Sequence, residues 1–308
     1  MKRRVAIVGM GWVGSSVAIS TLHSGVADEL LLHDLREDLA EGEAMDLGHG
    51  ASFYPSADVR AVEAAEIGDS DVVVIAAGRG GRPDESRLAL LRHNADAIRA
   101  IARRLRGYRG TIVMVTNPVD VLTRVAAEAS GLPPARVLGT GTMLDTARLR
   151  QVLGRLLRVD TRSIHAHVVG EHGDSEVVLW SAARVGAMCL RDWPAWDPAR
   201  EADVAEEVRR AASEIIRRKG ATNHAIGLVT ADLLRSLLRD ERRVLTVSRV
   251  QEGAAGLREV ALSLPAVVGA DGAAEVIEPE MNAGERERLH RSAAVLEAAA
   301  EGLAEHAG

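Results

Sequence analysis

Val5-Ala6-Ile7-Val8-Gly9-Met10-Gly11-Trp12-Val13-Gly14 places a Gly-x-Gly-x-x-Gly directly after an apolar, strand-like run and at the mouth of a helix-like one. In such a stretch the first glycine permits a tight turn, the second lets the backbone approach a pyrophosphate, and the third lets strand and helix pack closely, while the helix N-terminus faces the phosphate charge. An acidic residue should then stand at the end of the second strand, about twenty residues on, to hydrogen-bond an adenosine ribose. Asp34 stands there. A glycine turn that merely joins strand to helix is the plainer alternative. The position near the N-terminus, the flanking elements and Asp34 together favour dinucleotide binding by Gly9, Gly11, Val13, Gly14 and Asp34. A carboxylate at Asp34 would repel the extra phosphate of NADP, so NAD is the expected cofactor; Arg36 weakens this slightly, unless it is only an exposed residue at a helix start.

Outward from this stretch, short apolar runs alternate with longer amphipathic ones, the pattern of a parallel sheet covered by helices. Strands are expected at Arg4–Val8, Glu29–His33, Val72–Ala76 and Thr111–Thr116, with helices at Trp12–Ser24, Arg36–Leu47 and Ser86–Leu105. After about Gly139 the rhythm changes. A helix at Leu144–Leu157 is followed by strands near Ile164–Val169 and Val177–Ser181 and by helices at Ala202–Arg218 and Ala225–Leu238. Strands at Val244–Val250 and Val260–Val268 and a helix at Gly284–Glu301 complete the chain. The expected fold class is α/β: an N-terminal Rossmann, doubly wound parallel sheet over residues 1–139 and a C-terminal α+β domain over residues 140–308. Arg191–Pro198, with two tryptophans and two prolines, reads as a surface loop.

Bulk composition narrows the function. At 308 residues, with 47% hydrophobic and 27% charged residues, the chain has the balance of a globular protein with ample core. A net charge of -6 argues against nucleic acid or anionic lipid as partner, and no segment is apolar enough for a membrane span. Lys2-Arg3-Arg4 before Val5–Val8 superficially resembles a signal peptide, but the apolar run stops at Gly9 with no cleavage site after it. Cys189 is the only cysteine, which excludes an intrachain disulfide and makes the cytoplasm the expected compartment. It lies in an apolar run and reads as a small buried hydrophobe. No metal-ligand cluster stands out.

Three further segments carry chemistry: Gly170-Glu171-His172-Gly173-Asp174-Ser175, Leu144-Asp145-Thr146-Ala147-Arg148 and Thr116-Asn117-Pro118-Val119-Asp120. Taken in their order along the chain, and with the glycine stretch and Lys219-Gly220-Ala221-Thr222, these motifs make the chain resemble the L-lactate/malate dehydrogenase family nearly end to end. The resemblance implies hydride transfer between nicotinamide and a small 2-hydroxy/2-oxo acid, with residues 140–308 forming the substrate domain. Reducing a 2-oxo acid needs a proton donor at the carbonyl oxygen, a clamp for the carboxylate and a positive group for the developing alkoxide. His172 titrates in the right range to be the acid/base. The resemblance pairs it with Asp145, which would hold its tautomer and stabilise the imidazolium. Arg148 shares a helix face with Asp145 and can grip a carboxylate with two hydrogen bonds; an isolated Asp-x-x-Arg could equally be a local ion pair. Asn117 resembles the family's substrate and nicotinamide contact and is also a natural turn residue before Pro118. Gly78 and Thr116 join the implied cofactor contacts. The segment Gly78–Arg87 resembles the family's mobile lid, with Arg87 closing over the carbonyl; Arg79 and Arg82 read as solvated loop residues.

Specificity is where the sequence departs from its relatives. The lid position that carries Gln in lactate enzymes and Arg in malate enzymes aligns with Gly81, which is neither. Glycine offers no charge to a second carboxylate and leaves room for a larger group. Thr222 matches the lactate-type pocket, so L-lactate and pyruvate are the expected pair. Malate, or a broad range of larger 2-oxo acids, is the alternative. Arg150 and His165 match positions that bind fructose 1,6-bisphosphate between subunits in bacterial lactate enzymes, and the family implies a homotetramer, or at least a dimer. A redox-sensing NAD-binding protein without turnover would be expected to have lost some of His172, Asp145, Arg87 and Arg148, and all four are present. An NAD-dependent glycosidase would need a metal held by cysteine and histidine.

Overall fold

The structure, a computed structural model, describes residues 2–80, 87–194 and 196–304. Six parallel strands, β1 (Arg4–Val8), β2 (Glu29–His33), β3 (Asp58–Ala61), β4 (Val72–Ile75), β5 (Thr111–Met114) and β6 (Val137–Gly139), lie in the order β3-β2-β1-β4-β5-β6. Between them run α1 (Trp12–Ser24), α2 (Glu37–His49), α3 (Arg87–Arg104) and α4 (Val119–Ser130). The central strands are apolar beyond their first residues because both faces are covered. Ala6, Val8, Val73 and Ile75 pack with α3 and α4 on one side, whereas Val5, Ile7, Val72 and Val74 pack with α1 on the other. The strand order reverses between β1 and β4, which opens a crevice at the carboxyl ends of these strands where ligands bind in such sheets.

The second half is α5 (Met143–Leu157), the two-residue strands β7 (Ile164–His165), β8 (Val168–Val169), β9 (Val177–Val178), β10 (Arg184–Val185) and β11 (Met188–Cys189), helices α6 (Glu201–Lys219) and α7 (His224–Leu238), strands β12 (Arg243–Glu252), β13 (Arg258–Gly269) and β14 (Gly272–Val276), and helix α8 (Ala283–Ala304). It does not stand apart from the first. β12 pairs antiparallel with β6 at Ser248 and Gly139, and β13 and β14 follow it, so one sheet of nine strands runs through both halves. Gly139 makes the junction feasible: a Cβ there would lie 2.5 Å from Thr123 Oγ1 and 3.1 Å from Ser248 Cβ.

The long elements fall within a few residues of expectation, but α4, β3, β6, β10, β11 and β14 were not anticipated. β3 is an edge strand whose residues alternate between exposed and half-buried, so no apolar run announces it. α4 is buried on nearly all sides, and its outward face narrows to Arg124 and Glu128, too thin a stripe to announce a surface helix. Two expectations need correction. Within the supposed surface loop, Trp196 is buried and stacks on Trp180 with ring centroids 5.9 Å apart, because the aromatic area gained by closing over α6 outweighs the exposure its prolines suggest. Cys189 is only half-buried, its sulfur accepting from Arg184 Nη1 at 3.2 Å on the edge strand β11.

Candidate active site

The glycine stretch forms the turn from β1 into α1. Gly9 sits at φ +97° with no room for a side chain, since a Cβ would meet the Ala77 backbone at 2.5 Å. At Gly14 a Cβ would lie 1.9 Å from the Gly9 carbonyl oxygen. At Gly11 no protein atom lies within 4 Å of that position, which leaves the space a close-lying phosphate requires. Asp34 ends β2 as expected, and its carboxylate is already engaged. Met10 N–H donates to Oδ2 at 2.8 Å and Arg36 N–H to Oδ1 at 2.9 Å, so Asp34 also ties the glycine turn to the start of α2. Val8, Gly9, Gly11, Asp34, Gly78 and Asn94 contribute to a cavity of about 510 Å³ between these turns. Val13 lies just inside α1, half-buried. The residues present fit a dinucleotide.

The floor of the crevice is braced from behind. Thr116 Oγ1 donates to Ala77 O at 2.7 Å, and a Cβ on Gly78 would fall 2.5 Å from the Thr116 methyl, so the ends of β4 and β5 are locked together. Asn94, buried on α3, accepts from Arg79 N–H at 3.1 Å and donates to Arg79 O and Asn117 O at 3.3 and 3.4 Å. One amide thereby fixes two turns that the sequence assigns to cofactor and substrate.

His172 lies in the turn that follows β8. Its Nδ1 is 2.5 Å from Asp145 Oδ2, and Arg148 Nη1 donates to Asp145 Oδ1 at 2.7 Å. Asp145 therefore bridges both groups. Its side chain is 3% exposed, against 22% for His172 and 14% for Arg148, so a buried anion holds two cation-forming groups at the rim. From the other side, His172 N–H donates to Asp120 Oδ2 at 2.7 Å. Burial works to lower the His172 pKa, but the charge and hydrogen bond of Asp145 outweigh it and raise the imidazole to about 9. Burial likewise resists ionisation of Asp145, yet His172 and Arg148 hold its carboxyl below the usual range. Asp120 is pushed up to about 6 and Glu176 to about 8, chiefly by burial.

The other sequence candidates lie elsewhere. Gly81 and the side chain of Arg87 lie outside the described residues; α3 begins at Arg87. Asn117 closes the β5 turn beside Asn94. Thr222 is half-buried between α6 and α7, and no hydrogen bond or ion pair links it to His172, Asp145 or Arg148. Arg150, two residues beyond Arg148, turns to the opposite side of α5, where its Nε donates to Ala166 O at 3.1 Å. It lines a separate cavity of about 360 Å³ with Arg162, His167 and Arg243, while His165 is exposed on β7. Sequence reasoning gave no role to Asp120, Asn94, Glu176 or Ser292. Asp120 stands in a quoted motif as an acid in the first turn of a buried helix; the others leave no local signal.

Residues 3–139 match the family description of the NAD-binding domain of lactate/malate dehydrogenases, and residues 142–306 match that of their alpha/beta C-terminal domain. The chain is similar to an L-lactate dehydrogenase of Synechococcus sp., at 45% identity over 294 residues that cover 94% of this chain and 96% of that one. It is similar also to an L-lactate dehydrogenase of Gloeobacter violaceus, 45% identical over 305 residues, with 97% and 92% covered. Among solved structures, the ligand-bound minor L-lactate dehydrogenase of Enterococcus mundtii superposes with a TM-score of 0.95 at 37% identity, covering 97% of this chain and 98% of that one.

Proposed function

The chain belongs to the lactate/malate dehydrogenase family, and from that premise we propose that it is an NAD-dependent L-lactate dehydrogenase interconverting pyruvate and L-lactate. The observation that carries the chemistry is Asp145 holding His172 on one oxygen and Arg148 on the other, with His172 N–H tied to Asp120 of α4 just beyond the Asn117 turn. Gly9, Gly11, Val13, Gly14, Asp34, Gly78 and Thr116 hold the cofactor, which when bound supplies or takes up the hydride. His172 keeps Nδ1–H on Asp145, which leaves Nε2 to deliver its proton to the keto oxygen and to recover it in the reverse direction. A pKa of about 9 keeps that proton on the imidazole at neutral pH, as pyruvate reduction requires. The guanidinium of Arg148 retains donors beyond the one given to Asp145, and these clamp the substrate carboxylate. Asn117 meets the substrate beside them. Arg87, from its place in the chain, supports the carbonyl, while Thr222 and Gly81 bound the substrate's side chain.

The relatives are named L-lactate dehydrogenases, which favours pyruvate over oxaloacetate. Finer readings go with this one. Self-association, up to the homotetramer, is supported by exposed Trp12, Ile19 and Phe53 around a cavity between α1 and α2. An anionic effector such as fructose 1,6-bisphosphate at Arg150 and His165 is supported by the half-buried Arg150 guanidinium, which pairs with no carboxylate of the described residues. No helix among the described residues is long and apolar enough to cross a membrane, and a cytoplasmic location goes with the single half-buried cysteine. The test is NADH oxidation with pyruvate, oxaloacetate, 2-oxobutyrate and phenylpyruvate in parallel, with and without the bisphosphate. Pyruvate should dominate; dominant oxaloacetate turnover overturns the assignment, and unchanged pyruvate kinetics with the bisphosphate removes the effector.

A further inference from the structure

The imidazole sits in a turn that makes few backbone hydrogen bonds of its own. Before it, Gly170 is bridged to Ser263 of β13, with N–H to O distances of 2.9 and 3.0 Å. From Glu171 to Ser175 the backbone is held chiefly by side chains. One of these comes from a helix 121 positions further along the chain. Ser292 of α8 is fully buried, and its Oγ accepts from Glu171 N–H at 2.8 Å. The same oxygen lies 3.0 Å from Ser175 Oγ. Ser175 Oγ donates to Glu171 Oε2 at 2.5 Å, and Ser175 N–H donates to the same oxygen at 3.1 Å.

These contacts fix the direction of every proton. Ser292 Oγ already accepts from Glu171, and the Ser175 hydroxyl proton is committed to the Glu171 carboxylate. The Ser292 proton therefore goes to Ser175 Oγ. A closed ring results, Glu171 N–H to Ser292 to Ser175 to Glu171 carboxylate, which grips the residues on both sides of His172. α8 is seated tightly there: a Cβ on Gly170 would stand 2.7 Å from Ser292 Oγ.

We propose that Ser292 is a positioning residue for the acid/base imidazole, its buried hydroxyl closing a ring with Glu171 and Ser175 that sets where His172 meets Asp145. This rests on the reading of His172 as the proton carrier. The Nδ1 to Asp145 contact is short, so a small displacement of the turn weakens it. The charged and titratable groups that face His172 are Asp145 and Arg148 on α5, Asp120 on α4, and Glu171 and Glu176 on its own turn, the last flanked by Arg209 of α6. Ser292 carries no charge, so it acts on His172 through position alone.

The experiment compares Ser292→Ala, Ser175→Ala, their double substitution and His172→Gln. Thermal unfolding and NADH affinity report that each variant is folded and loads cofactor. For Ser292→Ala, kcat for pyruvate reduction should fall about tenfold, a fraction of the roughly hundredfold that a misplacement of about 1 Å can cost. The alkaline limit of kcat/KM should move down by about one pH unit as the Asp145 contact loosens. The isotope effect on kcat with deuterated NADH should grow, because hydride transfer becomes slower than the other steps. Ser175→Ala should give the same changes, and the double substitution should add little to either, as expected of one coupled ring. Ser292→Ala with a lower unfolding temperature but an unmoved pH limit and isotope effect would show a packing residue only and overturn the proposal. So would fully additive losses in the double substitution. Undiminished turnover by His172→Gln instead removes the reading of His172 itself.

Discussion

Replacing Asp145 by Asn tests the centre of the mechanism. In the native protein His172 titrates at about 9, because Asp145 outweighs a burial effect that acts in the opposite direction. Asn keeps the size and an acceptor oxygen but removes the charge, so the imidazole should drop at least to its ordinary value near 6.5. Pyruvate reduction needs the protonated ring, and kcat/KM reports the ring in the enzyme before substrate binds. At about pH 6 both proteins are mostly protonated, and the difference from protonation alone is less than about twofold. At about pH 8 the native ring is about nine-tenths protonated and the variant's about one-thirtieth, a ratio of about 30. Looser orientation of the ring should add a loss that is the same at every pH. The assay is kcat/KM for pyruvate at saturating NADH from pH 5.5 to 9.5, with oxidation of L-lactate as the complementary series. A native-to-variant ratio that stays constant between pH 6 and pH 8 would refute the argument, since it would mean that Asp145 does not set the His172 proton affinity.

Arg148→Lys leaves a positive charge but removes the planar fork; kcat/KM for pyruvate should fall about a hundredfold, or about 3 kcal/mol, with NADH affinity unchanged by fluorescence titration. The two glycines should fail differently. Gly14→Ala puts a methyl 1.9 Å from Gly9 O and should lower the unfolding temperature sharply, whereas Gly11→Ala meets no protein atom within 4 Å and should unfold normally while losing NADH affinity; native-like NADH binding by Gly11→Ala would contradict the assignment of the pyrophosphate. Stability should also depend on pH with a definite sign. The folded pKa of His172 lies above its unfolded value, so its contribution is complete below about pH 6.5 and is lost as pH rises through about 9, with a ceiling of about 3 kcal/mol. Urea unfolding of the native protein and of His172→Gln at about pH 6.5 and about pH 9.5 separates it from Glu176, which titrates at about 8, and an equal pH dependence in both would count against the Asp145 pairing.

Much of this molecule was legible because its signals are local. The glycine turn occupies ten consecutive residues, and its three glycines answer to one strand, one turn and one helix. Asp34 closes the neighbouring parallel strand, where the spacing of the motif puts it. Asp145 and Arg148 are three apart on one helix, so their shared face follows from helical geometry, and they do form an ion pair. Where the sequence misled, burial was the cause. α4 shows only Arg124 and Glu128 on its outward face because it is covered nearly all round, and Trp196 sits among prolines yet is drawn against Trp180.

The contacts that turn these pieces into a catalyst are of another kind. His172 meets Asp145 across 27 positions, Asp120 across 52, and through Glu171 it depends on Ser292 across 121. The second half of the chain, which a change of rhythm sets apart, adds three strands to the first half's sheet through a single antiparallel pairing at Gly139. Periodicity and turn chemistry govern residues within a helical turn or a hairpin of one another. By itself the sequence determined a dinucleotide turn, the types of its longer helices and strands, and a set of residues suited to proton transfer. Which of those residues touch was decided by strand order and helix packing, because contacts between distant positions arise only when the whole sheet has closed around its core.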